Sequence, residues 1–172
     1  MDSVSSTTRL FLALWPDPAV RYALRERRDL WDWPRGASPV HPDKLHVTLH
    51  FLGSVPSERV PDLRRGVAVP FTPFDLTLGV PTLWHNGIAV LEPLHEPPAL
   101  LQLHADLSSA LLALGLQPEA RKYRPHVTFA RRASGAALPA EAAPLVWKVG
   151  GYALVESQPE NGGVYQVLET YS

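Results

Sequence analysis

The chain has 172 residues, 45% of them hydrophobic, and its 16 Lys/Arg against 17 Asp/Glu leave a net charge of −1. That is enough apolar material for one sizeable core, and too little charge for a disordered polyelectrolyte or a protein that coats RNA by bulk positive charge. No cysteine is present, which removes disulfides, thiolate zinc sites, iron–sulfur clusters and cysteine nucleophiles, so any chemistry must rest on other side chains.

The opening MDSVSSTT is polar and lacks a basic start, and the apolar run 10–15 is too short for a signal core or a membrane span. A cytoplasmic protein with no membrane partner is the expectation. Residues 9–15 (RLFLALW) read as a strand stopped by Pro16. Asp17 can cap a helix with Pro18 in its first turn, and Val20, Leu24 and 30–31 continue it at helical spacing until Pro34. Residues 45–52 alternate as a strand closed by Gly53, and Ser57 is a candidate cap for a helix over 59–68. Three β-like stretches follow at 74–80, 82–85 and 87–91, the last two separated by the hairpin signal Asn86-Gly87. Leucines at helical spacing predict a helix over 98–116. Then come a strand at 127–130, an Ala/Pro-rich loop at 138–144, and closing strands at 146–155 and 164–169. Mixed elements in two similar halves, with no long linker, predict an α+β fold.

One repeat stands out. His46-Val47-Thr48-Leu49 and His126-Val127-Thr128-Phe129 are the same tetrad, one in each half. From the composition, about 0.03 His-Val-Thr triplets are expected by chance, so two by accident is on the order of one in a few thousand. On a strand, His and Thr at i and i+2 share a face roughly 7 Å apart, while Val47, Leu49 and Phe51, like Val127 and Phe129, turn to the core. Two strands meeting about a pseudo-two-fold axis would bring two imidazoles and two hydroxyls to one cleft. That set suits in-line displacement at phosphorus: a neutral imidazole takes a proton from the nucleophile, a protonated one hands a proton to the leaving oxygen, and the threonines donate to non-bridging oxygens. The repeat alone does not say which histidine is the acid.

The segments HVTLHFLG at 46–53 and HVTFAR at 126–131, with the opening RLFLALWPDP, resemble the 2H phosphoesterases, specifically the bacterial RNA 2',3'-cyclic phosphodiesterase branch, also called RNA 2',5'-ligase or LigT-like. The resemblance spans nearly the whole chain. It implies one bilobal domain over 1–172, with the first motif at 46–49, the second at 126–129, and a central cleft between antiparallel-rich lobes. It also implies metal-independent hydrolysis of RNA 2',3'-cyclic phosphate ends to a 2'-phosphate, without a cofactor, and a weak reversible joining of tRNA halves through a 2',5' linkage. Carried over by motif position, His46 is the proton donor, His126 the proton acceptor, and Thr48 and Thr128 hold the phosphate. Arg131 is the family's basic residue after the second tetrad, although strict alternation places it on the Val127 side, so the strand must end or bend there.

Further candidates are weaker. Lys44 and Arg124, with Arg121, Lys122 and Arg132, form a phosphate-attracting rim, or else a solvated loop. Phe11 and Trp84 are candidates for stacking on a base, or core residues. His50 falls on the His46 face, but roughly 13 Å along a strand is too far for a shared zinc ion. His41, His85, His95 and His104 read as surface groups. Rival readings are a 2',5'-oligonucleotide or small cyclic nucleotide as substrate, a non-catalytic RNA-end binding module, and a metallohydrolase. A monomer is expected.

Overall fold

The computed structural model describes residues 6–172; residues 1–5, part of the polar opening, lie outside them. Among the described residues, nine strands and three α-helices follow one another as β1 (Thr7–Leu14), α1 (Pro18–Arg28), β2 (Ser38–Pro39), β3 (Val47–Pro56), α2 (Val60–Gly66), β4 (Phe74–Leu83), β5 (Ala89–Pro93), α3 (Pro98–Ala113), β6 (Val127–Arg131), β7 (Leu145–Val149), β8 (Tyr152–Gln158) and β9 (Val164–Tyr171). The fold is α+β, as the sequence predicts. All pairings are antiparallel, in the order β7-β4-β5-β6-β3-β1-β8-β9, with the short β2 added to β6.

This order has a centre. The two motif strands, β3 and β6, meet at a single residue pair, Val47 with Val127. On either side stand three further strands, β1-β8-β9 beyond β3 and β5-β4-β7 beyond β6. The helices cross between the halves. α1 follows β1 but packs on β7, with Arg27 Nε donating to the Ala143 carbonyl at 3.0 Å, while α3 follows β5 and packs on β3.

Alternation decides what each face buries. Leu10, Leu12 and Leu14 of β1 turn to the main core, which gathers Leu24 of α1, Leu63 of α2, and Leu100, Leu103, Leu107 and Leu111 of α3. Phe11 and Ala13 turn to the opposite face and form a small second cluster with Ala153 and Val155, edged by Trp15, Tyr165 and Val167. The sheet is thus apolar on the helix-covered face and aromatic on the other.

Several local expectations hold. Asp17 caps α1, its Oδ1 accepting from the Val20 N–H at 2.8 Å. The Asn86-Gly87 turn closes a hairpin through Trp84 N–H to the Ile88 carbonyl, with Gly87 at φ +81. Others change. The stretches 74–80 and 82–85 are one strand, running through Pro81. β7 pairs only with residues 74–78, so at Pro81 that side of β4 is open and no ladder N–H is missing. The stretch 146–155 is two strands: β7 pairs with β4, and β8 with β1, at the other half of the sheet. The turn between them needs Gly151, where a Cβ would collide with the Tyr171 carbonyl. Ser57 does not cap α2. It opens a 3-10 turn, and its hydroxyl bonds to that of Thr8 at 2.7 Å.

Candidate active site

Both motif strands carry the same irregularity. In β3, Thr48 pairs with Ala13 and His50 with Leu12, leaving Leu49 as an extra residue. In β6, Thr128 pairs with Val90 and Ala130 with Ala89, leaving Phe129 extra. Each is a β-bulge, and an extra residue reverses the alternation beyond it. Before the bulge, His46 and Thr48, and likewise His126 and Thr128, lie opposite the buried Val47 and Val127. After it, His50 and Ala130 point to the core, and Phe51 and Arg131 return to the face of the histidines. The bend required at Arg131 is therefore the Phe129 bulge. Two readings are corrected by the matching bulge at Leu49. Phe51 is not a core residue but 59% exposed on the motif face, paired with Phe11. His50 does not share the His46 face; it is buried at 4% exposure, bonded to the His104 carbonyl at 3.0 Å.

In an antiparallel register centred on Val47–Val127, His46 lies across from Thr128 and Thr48 across from His126. The two histidines are then diagonal neighbours, a spacing of roughly 7–8 Å with the Cβ atoms somewhat closer. Both rings are oriented alike. His46 Nδ1 donates to the Lys44 carbonyl at 2.6 Å, and His126 Nδ1 to the Arg124 carbonyl at 2.7 Å. A carbonyl can only accept, so each Nδ1 carries the proton and each Nε2 presents a lone pair. His46 Nε2 accepts from the Thr48 hydroxyl at 2.9 Å. The two anchoring carbonyls belong to residues two positions before each histidine.

The surroundings differ. His46 is enclosed by aromatic rings, with centroids of Phe11 at 4.9 Å, Trp15 at 5.8 Å and Tyr165 at 5.8 Å. His126 has Trp84 edge-on at 4.6 Å. Trp84 is in turn covered by the Arg124 guanidinium at 4.6 Å, itself held by Glu92 at 2.7 and 3.2 Å. From Thr48 and His126 a cavity of about 540 Å³ opens between Phe51, Trp84, Lys122 and Tyr123.

The sequence matches the 2'-5' RNA ligase superfamily over residues 16–159. The chain belongs to that superfamily. It is 35% identical, over 95% of its length and 89% of the relative's, to the RNA 2',3'-cyclic phosphodiesterase of Thermus thermophilus. Its fold matches Escherichia coli LigT in the apo form with a TM-score of 0.82 at 27% identity, covering 96% of this chain and 97% of that one. LigT complexed with 3'-AMP matches over the same shares with a TM-score of 0.80, at 27% identity.

Within this 2'-5' RNA ligase superfamily member, electrostatics set the resting state of the pair. Burial holds the His46 imidazole down at about 4, helped by the charges of Arg21, His126 and Arg131 and opposed by the Lys44 carbonyl. Burial also lowers His126, with Arg124 and Arg131 adding to it, against the Arg124 carbonyl and Glu92. Arg131 thus acts on both rings. Glu92 loses solvent on burial, but Arg124 outweighs this and keeps its carboxyl below the usual range. His50 and His104 are likewise lowered by burial, His104 to about 4.

A pH dependence follows. The unfolded chain takes up protons near 6.5, whereas folded His46 and His104 do so only near 4, so stability is complete above about 6.5 and drains away as pH falls towards 4. His46 alone should withdraw on the order of 2–3 kcal/mol across that window. Urea midpoints at about pH 7 and about pH 4.5 measure the drop, and equal midpoints would contradict it.

Lys44 puts Nζ 5.2 Å from the Tyr165 ring and beside Gly163, on the His46 side. Phe11 lies against His46, not in the main core. The Arg124 guanidinium is occupied by Glu92 and Trp84, so Arg124 meets His126 through its carbonyl and not as a free cation. Arg121, Lys122, Arg131 and Arg132 are exposed, as are His41, His85 and His95. His104 is no surface group: it stacks between His50 and Tyr123 at 4.0 Å from each. Sequence reasoning missed Phe51 and Tyr123. Among the described residues, no helix is long and apolar enough to cross a membrane.

Proposed function

We propose that the chain hydrolyses RNA 2',3'-cyclic phosphate ends to 2'-phosphates by histidine acid/base chemistry, without a metal. The observation that carries this reading is the pair of imidazoles, each anchored through Nδ1 and presenting Nε2 to one face across the Val47–Val127 contact. His126 Nε2 takes a proton as water attacks phosphorus. The bond from phosphorus to O3' breaks, and His46 Nε2 supplies the proton that O3' needs. The 2'-phosphate and the 3'-hydroxyl are the products. Thr48 and Thr128 donate to the non-bridging oxygens, and Arg131 offsets charge as it accumulates.

His46 is neutral in the free protein. An anionic phosphodiester against Nε2 raises its proton affinity, so the donor is charged by the substrate it serves. The cavity beside His126 lies within the size range of small-molecule sites and offers Phe51 and Trp84 as stacking surfaces for the terminal base. The likeness to LigT bound to 3'-AMP supports a nucleotide here. A 5'-hydroxyl in place of the attacking water would give the 2',5' linkage by the same proton transfers, and Arg121 and Lys122 at the cavity favour an RNA strand as its bearer. The chain is taken to work as one bilobal, monomeric, cytoplasmic unit.

The test is product analysis on an oligonucleotide ending in a 2',3'-cyclic phosphate, with EDTA present. A 2'-phosphate is expected. A 3'-phosphate, or a strict need for added divalent ions, would refute the mechanism.

A further inference from the structure

Little backbone ties the two motifs together. β3 and β6 share only the Val47–Val127 pair, and the chain entering β6 brings Pro125, which has no N–H with which to lengthen the ladder. The Thr48 carbonyl, one residue beyond the pair, is met instead by a side chain: Tyr123 Oη donates to it at 2.7 Å. Tyr123 is itself braced. Its ring lies flat on His104 of α3, with centroids 4.0 Å and planes 12° apart, and His104 lies on His50 of β3 at 4.0 Å. Burial, with the charge of Glu96, pushes the Tyr123 hydroxyl far above its usual range, so it stays a donor at every working pH.

We propose that Tyr123 is a positioning residue, a strut across the seam that holds Thr48, and through the Thr48 hydroxyl the His46 ring, in register with the His126 motif. Thr48 is the link in this chain. Its carbonyl accepts from Tyr123 and its hydroxyl donates to His46 Nε2. Without the strut, a carbonyl beside a one-pair ladder must find water, and the Thr48 peptide turns with it. Small misplacements of reacting groups cost large factors in rate when two proton transfers share one phosphorus. The proposal rests on the two-histidine reading above.

Tyr123→Phe keeps the ring and removes the donor. With 2',3'-cyclic AMP as substrate, kcat should fall roughly tenfold while KM changes less than about twofold. Loss of the Thr48 hydroxyl bond, which favours the neutral ring, should also raise the titration midpoint of His46 in histidine NMR and leave that of His126 in place. A purely structural tyrosine would lower the melting temperature and move neither quantity. Wild-type kcat with an unmoved His46 midpoint overturns the strut. If Tyr123→Phe does not fold, His104→Ala, which removes the ring under Tyr123, decides: a kcat loss with the same His46 shift supports the strut, and neither change refutes it. His46→Ala run alongside separates the two ideas. If it stays active the acid/base reading fails, and if it is inactive while Tyr123→Phe is normal the strut alone fails.

Discussion

His46→Ala and His126→Ala should each lower kcat on a cyclic-phosphate end by about 10² or more while the protein stays folded. Each ring is anchored by a backbone carbonyl and reaches the shared face only through Nε2, so no neighbour can take over its proton transfer. The nearest hydroxyl, Thr48, already donates to His46 Nε2, and an alcohol is too weak an acid and base to replace an imidazole near neutral pH. The double variant should be little worse than either single one, because donor and acceptor act in one displacement. Steady-state rates with matched circular dichroism spectra measure this. A single variant with near-normal kcat would mean that the phosphorus chemistry is carried elsewhere.

Phe129→Ala should cost about 3–5 kcal/mol of stability. Phe129 is completely buried and is the extra residue of the β6 bulge, so its ring both fills the main core and seats the irregularity. Urea unfolding would report the loss as a lower midpoint at an unchanged slope. The folded fraction should also be impaired, because the bulge is what returns Arg131 to the face of His126. A loss under about 1 kcal/mol would show that the core closes around the gap and that the bulge needs no ring to hold it.

Much of this was legible in the sequence. The His-x-Thr repeat located both motif strands, the Asp17 cap and the Asn86-Gly87 hairpin were local signals, and the mixture of strand and helix patterns in two similar halves pointed to the α+β fold. The bulges were not legible. Leu49 and Phe129 are ordinary strand residues, and whether one of them is extra depends on which residues of β1 and β5 stand opposite. Unbroken alternation puts His50 on the motif face and Phe51 in the core, and the Leu49 bulge reverses both. Tyr123 was invisible for a related reason, since a lone tyrosine in a basic loop gives no hint that a carbonyl seventy-five residues earlier lacks a partner. The division of 146–155 did leave a mark, Gly150-Gly151, which only the differing partners of β7 and β8 make meaningful.

That glycine pair has a consequence for how the polypeptide is threaded. At Gly150-Gly151 the chain leaves the β4 edge and returns to the β1 side, so the half of the sheet around β1 is not made from an unbroken length of sequence. One half draws on both ends of the molecule, β1 and β3 with β8 and β9; the other is drawn wholly from the middle. Cutting between β4 and β5 would therefore part β4 from both of its partners and β1 from β8, whereas a circularly permuted chain starting at Tyr152 would spell out the two halves one after the other.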